Sequence, residues 1–189
     1  MKHPSTRALY AYWNQKRGNR AAPDRSDIDP AAIRHALGDT FMLAADFVDE
    51  LRFRLAGTRV CALFCREIKG EAFPALWSEE SRKGIEDLLT IVTNETLGAV
   101  AGLTGRTADG SEADVEILLL PLAHLGHARI RALGVLAPIV PPYWLGGKAG
   151  GRARARHAAP SRRGSGELWR SPFRAIARRR PPAPWFRGL

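Results

Sequence analysis

The strongest constraint on this chain is a change of hydrophobic period and back again. In "LRFRLAGT" the apolar residues Leu51, Phe53 and Leu55 alternate with Arg52 and Arg54, which describes a strand with one buried and one charged face. In "SEESRKGIEDLLTIVTNETLG" the period lengthens: Ile85, Leu88, Leu89 and Val92 form one helical stripe, with Ser78 placed to cap and Glu79 and Glu80 at the positive end. Alternation then returns in "EADVEILLL", where Val115, Ile117 and Leu119 face one way and Asp114 and Glu116 the other. A strand pattern on both sides of a long amphipathic helix selects an α+β arrangement, with helices laid across an antiparallel sheet.

The remaining segments fill in that order. "STRALYAYWNQKRG" is an amphipathic helix with Leu9, Tyr12 and Trp13 on one face and Gly18 as its stop. In "RSDIDPAAIRHAL" Asp29 can accept from an orphan helix N–H and Pro30 suits the first helical position, so Asp27 and Asp29 are caps rather than acids and a short helix starts here. "TFMLAADF" and "LRFRLAGT" then form a hairpin around "VDE". "RVCALFCREIKGEAFPALW" is broken by Gly70 and Pro74 into short helical turns and loop, and the stretch after the long helix holds three strands joined at "ADGSE" and "HLGHA". The expected architecture is a five-stranded antiparallel sheet with helices on one face.

Charge divides the chain sharply. The 189 residues carry 29 Lys and Arg against 19 Asp and Glu; from Lys148 onward there are 12 basic residues and one acid, leaving 17 basic and 18 acidic residues before it. The body is near neutral and the excess belongs to an Arg-, Pro- and Gly-rich tail without periodicity, the composition of disorder. At most one short amphipathic helix fits there, around Leu168, Trp169, Phe173 and Ile176, interrupted by Pro172. The expected divisions are residues 1–30 (helix and linker), 31–147 (the domain) and 148–189 (the tail). Such a tail can contact nucleic acid or an anionic membrane non-specifically through charge.

No segment approaches the roughly 18 consecutive apolar residues that span a bilayer, and "MKHPSTRALY" lacks a signal peptide's apolar run, so a cytoplasmic location is expected. Cys61 and Cys65, in "VCALFC", supply half a tetrahedral metal site and are expected as buried, reduced thiols. His124 and His127 flank a turn glycine without acids nearby, the pattern of a solvated loop. There is no phosphate-cradling loop, nucleophile elbow or helical pair of metal-spaced histidines, so no enzyme activity, catalytic residue or metal site is expected.

Taken together and in order, "YW", "APDRSDIDP", "FRLAGTRV", "REIKGEAFPALW", "LLLPL" and "LGVLAP…YWLG" resemble the small single-PAS-domain proteins of alphaproteobacteria, over roughly Leu9 to Gly146. The resemblance implies a curved antiparallel sheet with helices over a central pocket, used for small-molecule sensing or for docking a partner protein, and no output domain. Where "FCRE" places Cys65 that family usually carries a small, glycine-like residue, which implies an altered local turn. Phe53, Leu55, Phe73, Trp77, Leu88 and Ile117 are the candidate pocket residues, with plain core as the alternative for the aromatic ones. Leu9, Tyr12 and Trp13 form either a homodimer face or a face packed on their own sheet. Haem held by His35 or Cys65 lacks a ligand-bearing motif, and the cofactor is unknown. The implied role is signalling through ligand or protein contacts; the alternative is nucleic-acid association through the tail.

Overall fold

The computed structural model describes residues 1–45, 50–106, 112–123, 131–142 and 174–177. Helix α1 (Pro4–Arg17) starts with a proline in its first turn and stops at Gly18, whose φ of 54° suits a residue without Cβ. Short 3-10 turns follow at Arg25–Asp27, Pro30–Ile33 and Leu37–Asp39. The helix expected after Asp29 is therefore two tight turns. The caps are as expected: Asp29 accepts from the Ala31 N–H, and Asp27 accepts from the Asp24 N–H at 2.9 Å.

Strands β1 (Thr40–Ala45) and β2 (Leu51–Ala56) form the hairpin. Helix α2 (Thr58–Leu63), a turn at Phe73–Leu76 and the long helix α3 (Glu79–Asn94) intervene before β3 (Ala99–Arg106), β4 (Glu112–Leu122) and β5 (Arg131–Pro138). The five expected strands make one antiparallel sheet in the order β2-β1-β5-β4-β3, so the N-terminal hairpin is zipped to the C-terminal strand through β1 and β5.

A sixth strand, β6 (Arg174–Ala177), lies antiparallel on β3. It occupies part of the segment for which the sequence offered a short helix. The tail's other residues, the "ADGSE" and "HLGHA" turns with His124 and His127, and most of "VDE" lie outside the described residues. At the far edge β2 is covered by the segment Gly70–Ala72, through Phe53 N–H to the Glu71 carbonyl (3.0 Å) and Gly70 N–H to the Phe53 carbonyl (2.8 Å). The outermost strands of the five-stranded sheet, β2 and β3, are thus each paired over part of their length, which shortens the template an open edge offers to another chain.

The sheet is covered on both faces. The inner face meets α2, the Phe73–Leu76 turn and α3; the outer face meets α1 and its linker. This accounts for the apolar run "ILLLPL", which a strand with one wet face would not carry: in β4, Ile117 and Leu119 point inward while Leu118, Leu120 and Leu122 are buried outward.

Candidate functional site

The inner layer converges on a group of aromatic rings. Phe41, Phe53 and Phe73 are buried with centroids 5.5 to 5.7 Å apart, and Trp77 closes the group edge-on to Phe73 at 5.3 Å. Their positions follow from the local fold. Phe41 and Phe53 come from β1 and β2, while Pro74 fixes the turn that brings Phe73 and Trp77 beneath α3. Phe41 lies over Gly134 of β5, its register partner, and a Cβ at Gly134 would stand 2.3 Å from the ring.

Of the expected pocket residues, Phe53, Phe73, Trp77 and Ile117 are buried in this cluster and Leu88 packs partly buried against it. Leu55 does not join them. The β1–β2 register shifts between Met42 and Leu43, so that Met42 faces Leu55 while Leu43 faces Phe53. The extra residue, Arg54, reverses the alternation, and Leu55 is left 47% exposed on the outer face. Phe41, a fully buried ring of the group, escaped the sequence reading; the available signal was its place in a strand, two residues before Leu43 and so on the same face.

The cluster consists of apolar side chains, with one polar atom of note. The indole N–H of Trp77 is buried and has no hydrogen-bond partner among the described residues. Trp13, by contrast, donates its indole N–H to the Pro121 carbonyl at 2.8 Å.

The stripe on α1 is spent within the chain. Leu9 and Trp13 are buried against the outer sheet face, and the Tyr12 hydroxyl donates to the Asp27 carbonyl (3.2 Å) and accepts from the Asp29 N–H (2.8 Å). Of the two arrangements left open by the sequence, packing on their own sheet describes where Leu9 and Trp13 lie, with Tyr12 partly buried beside them. Two carboxylates hold the start of the helix. Glu116, expected on the face opposite Val115 and Ile117, is 5% exposed and accepts from the Lys2 N–H (2.6 Å) and the His3 N–H (3.0 Å). Asp39 accepts from the Ser5 hydroxyl at 2.6 Å and is paired with Arg59. Neither was singled out from sequence; a lone acid in a strand or a short turn looks solvated until a second layer covers it.

The cysteines are also placed differently from expectation. Cys65 is exposed and Cys61 half-buried, both as free thiols. Burial pushes the Cys61 thiol above its ordinary pKa, with the nearby Glu67 carboxylate adding to the effect. Cys65 follows α2 with a φ of 54°, the left-handed conformation that favours glycine. His35 and Cys65 are exposed and neither belongs to the inner cluster. Among the described residues no three His, Cys, Asp or Glu side chains come together as a metal-holding group, and no helix is long and apolar enough to cross a membrane.

The chain is thus an α+β domain in which an antiparallel sheet carries helices over an aromatic interior. A family model described as "PAS domain" matches residues 1–137, and the chain belongs to that family. Among solved structures it is similar to the PAS domain of a protein from Colwellia psychrerythraea, at 14% identity and a TM-score of 0.42, covering 58% of this chain and 97% of that one. It is also similar to an RNA-binding Light-Oxygen-Voltage receptor, at 14% identity and a TM-score of 0.43, covering 62% of this chain and 35% of that one. No curated protein matches it.

Proposed function

We propose that this protein is a cytoplasmic PAS sensor that acts by binding rather than by catalysis, with the aromatic group beneath α2 and α3 as its responsive site, and that it passes its signal on by contact with a partner protein. The observation that carries this reading is the Trp77 indole N–H, buried without a partner among the described residues. An unmade hydrogen bond at a buried donor costs about 1–3 kcal/mol, and a ligand with an acceptor removes that cost. The surrounding side chains are apolar, so the ligand class that fits is a neutral, mostly apolar molecule with one acceptor aimed at the indole.

Native mass spectrometry of the full chain, alongside Trp77→Phe, tests the reading. The phenyl ring keeps most of the packing and removes the donor. The expected result is a bound small-molecule mass on the parent protein that Trp77→Phe loses, with an equal or higher melting temperature in the unliganded variant. Absence of any bound mass, together with a lower melting temperature for Trp77→Phe, would mean that the indole is satisfied by the Phe73 ring face and serves only as core.

A further inference from the structure

Asp39 is bonded to both helical layers. Its side chain is 3% exposed and accepts from Arg59 Nε at 2.6 Å and a second guanidinium nitrogen at 2.8 Å, besides the Ser5 hydroxyl. Arg59 belongs to α2 on the inner side; Ser5 belongs to α1 on the outer side. Arg59 also donates to the His35 carbonyl at 3.3 Å, just ahead of the same turn.

The backbone around this carboxylate leaves no slack. A Cβ at Gly57, the residue before α2, would stand 2.1 Å from the Leu37 carbonyl oxygen and 2.4 Å from that of Gly38; a Cβ at Gly38 would stand 2.8 Å from the Arg59 guanidinium carbon. The Gly57 N–H donates to the Thr40 carbonyl at 2.8 Å. The first turn of α2 is therefore pressed directly onto the Leu37–Asp39 turn, and a shift of α2 cannot be absorbed by loose chain between them.

We propose that Asp39 is a positioning residue that couples the helical layer over the aromatic group to α1 on the opposite face of the sheet. If α2 moves and withdraws Arg59, the carboxylate becomes a buried charge without its cation. It must then turn toward water and give up the Ser5 hydroxyl, which frees the first turn of α1. The reverse also holds, because coupling between two sites is reciprocal. Its use as a signal route rests on the sensory reading above, since Val60 and Leu63 of α2 pack in the inner cluster; the coupling itself is a property of the unliganded protein.

Hydrogen exchange on the full chain decides the matter, with Ser5→Ala, Arg59→Gln and the double variant. Amides of Leu118–Leu120 in the central strand report global stability and serve as the reference. Arg59→Gln should accelerate exchange at Leu9–Trp13 of α1 by about tenfold relative to that reference, and Ser5→Ala should accelerate Leu63 and Phe64 at the end of α2. The double variant should exceed neither single effect by much. Acceleration confined to the mutated helix in each case, or effects that simply multiply in the double variant, would overturn the coupling. Loss of coupling with a bound mass still retained would refute the Asp39 route and leave the sensory reading standing.

Discussion

Gly134→Ala should be among the more damaging small substitutions in this protein, and the size of the effect follows from one close approach. The added methyl carbon would stand 2.3 Å from Phe41 Cζ, 2.7 Å from Phe41 Cε2 and 2.7 Å from the Leu118 carbonyl oxygen. Carbon atoms prefer about 3.5–4.0 Å, so the ring would have to retreat by more than an ångström. It has little room to do so, because Phe53 and Phe73 hold it at centroid distances of 5.5 and 5.7 Å. The Leu118 oxygen belongs to the neighbouring central strand, β4, and yields still less. Overpacking of this kind costs about 1–3 kcal/mol, and with two fixed neighbours the upper end applies, about 3 kcal/mol and a melting temperature lower by about 6–12 °C. The sign is informative, since Gly→Ala in an unobstructed strand would stabilise the fold by about 0.4–1 kcal/mol. Phe41→Leu removes the clashing ring atoms at its own cost of about 1–2 kcal/mol. Combined with Gly134→Ala it should lose at least about 1 kcal/mol less than the two separate losses together, because the pair shares one contact. Urea denaturation of the four proteins supplies the cycle. A stabilising Gly134→Ala, or additivity within about 0.5 kcal/mol, would refute the claim that Phe41 is fixed over that glycine.

Cys65→Gly should raise stability by about 1 kcal/mol, since a left-handed conformation strains any side chain and costs glycine nothing; an unchanged or lower urea midpoint would count against a strained turn there. A variant ending at Pro172 lacks β6, so amide exchange should rise at the alternate amides of Leu103–Arg106 that face β6, while those facing β4, and β4 and β5 themselves, stay protected; unchanged rates throughout Leu103–Arg106 would deny the tail strand a place on the sheet.

The order of elements was legible because its signals are local: alternation for β2 and β4, a 3.6-residue stripe for α3, Asp29 and Pro30 for the turn after the linker. What failed depended on partners distant in sequence. A bulge is decided by which residue the opposite strand presents, so the reversal at Arg54 that carries Leu55 outward leaves no mark in "LRFRLAGT" itself. The stripe of Leu9, Tyr12 and Trp13 looks alike whether its partner is the same chain or another. One clue did favour the same chain. The run "LLLPL" places apolar side chains on both faces of β4, which a sheet covered on one side does not need, and an outer layer had to come from somewhere. Glu116 follows from that layer: once α1 covers the face, its carboxylate meets the N–H groups of Lys2 and His3 instead of water.

The two layers are held by different proportions of apolar and polar contact. The inner helices share a continuous apolar cluster with the sheet, so lifting α2 or α3 exposes many large side chains at once. In α1 only Leu9 and Trp13 are large and fully buried; Tyr10 and Tyr12 pack partly buried beside them, and polar contacts at Glu116, Asp39, the Pro121 carbonyl and the Tyr12 hydroxyl add to its hold. Such contacts are replaced by water when the helix lifts, so each contributes only about 0.5–1.5 kcal/mol, or about 1.5–3 kcal/mol where a carboxylate accepts. Removing α1 from the sheet therefore costs less than unfolding the domain, and the state with α1 lifted lies below global unfolding in free energy. That state uncovers Leu118, Leu120, Leu133 and Val135 while the aromatic interior stays closed. On the sensory reading proposed above, the protein can change what its outer face offers to a partner without exposing the aromatic group, and Asp39, bonded to both layers, is where the two would be tied together.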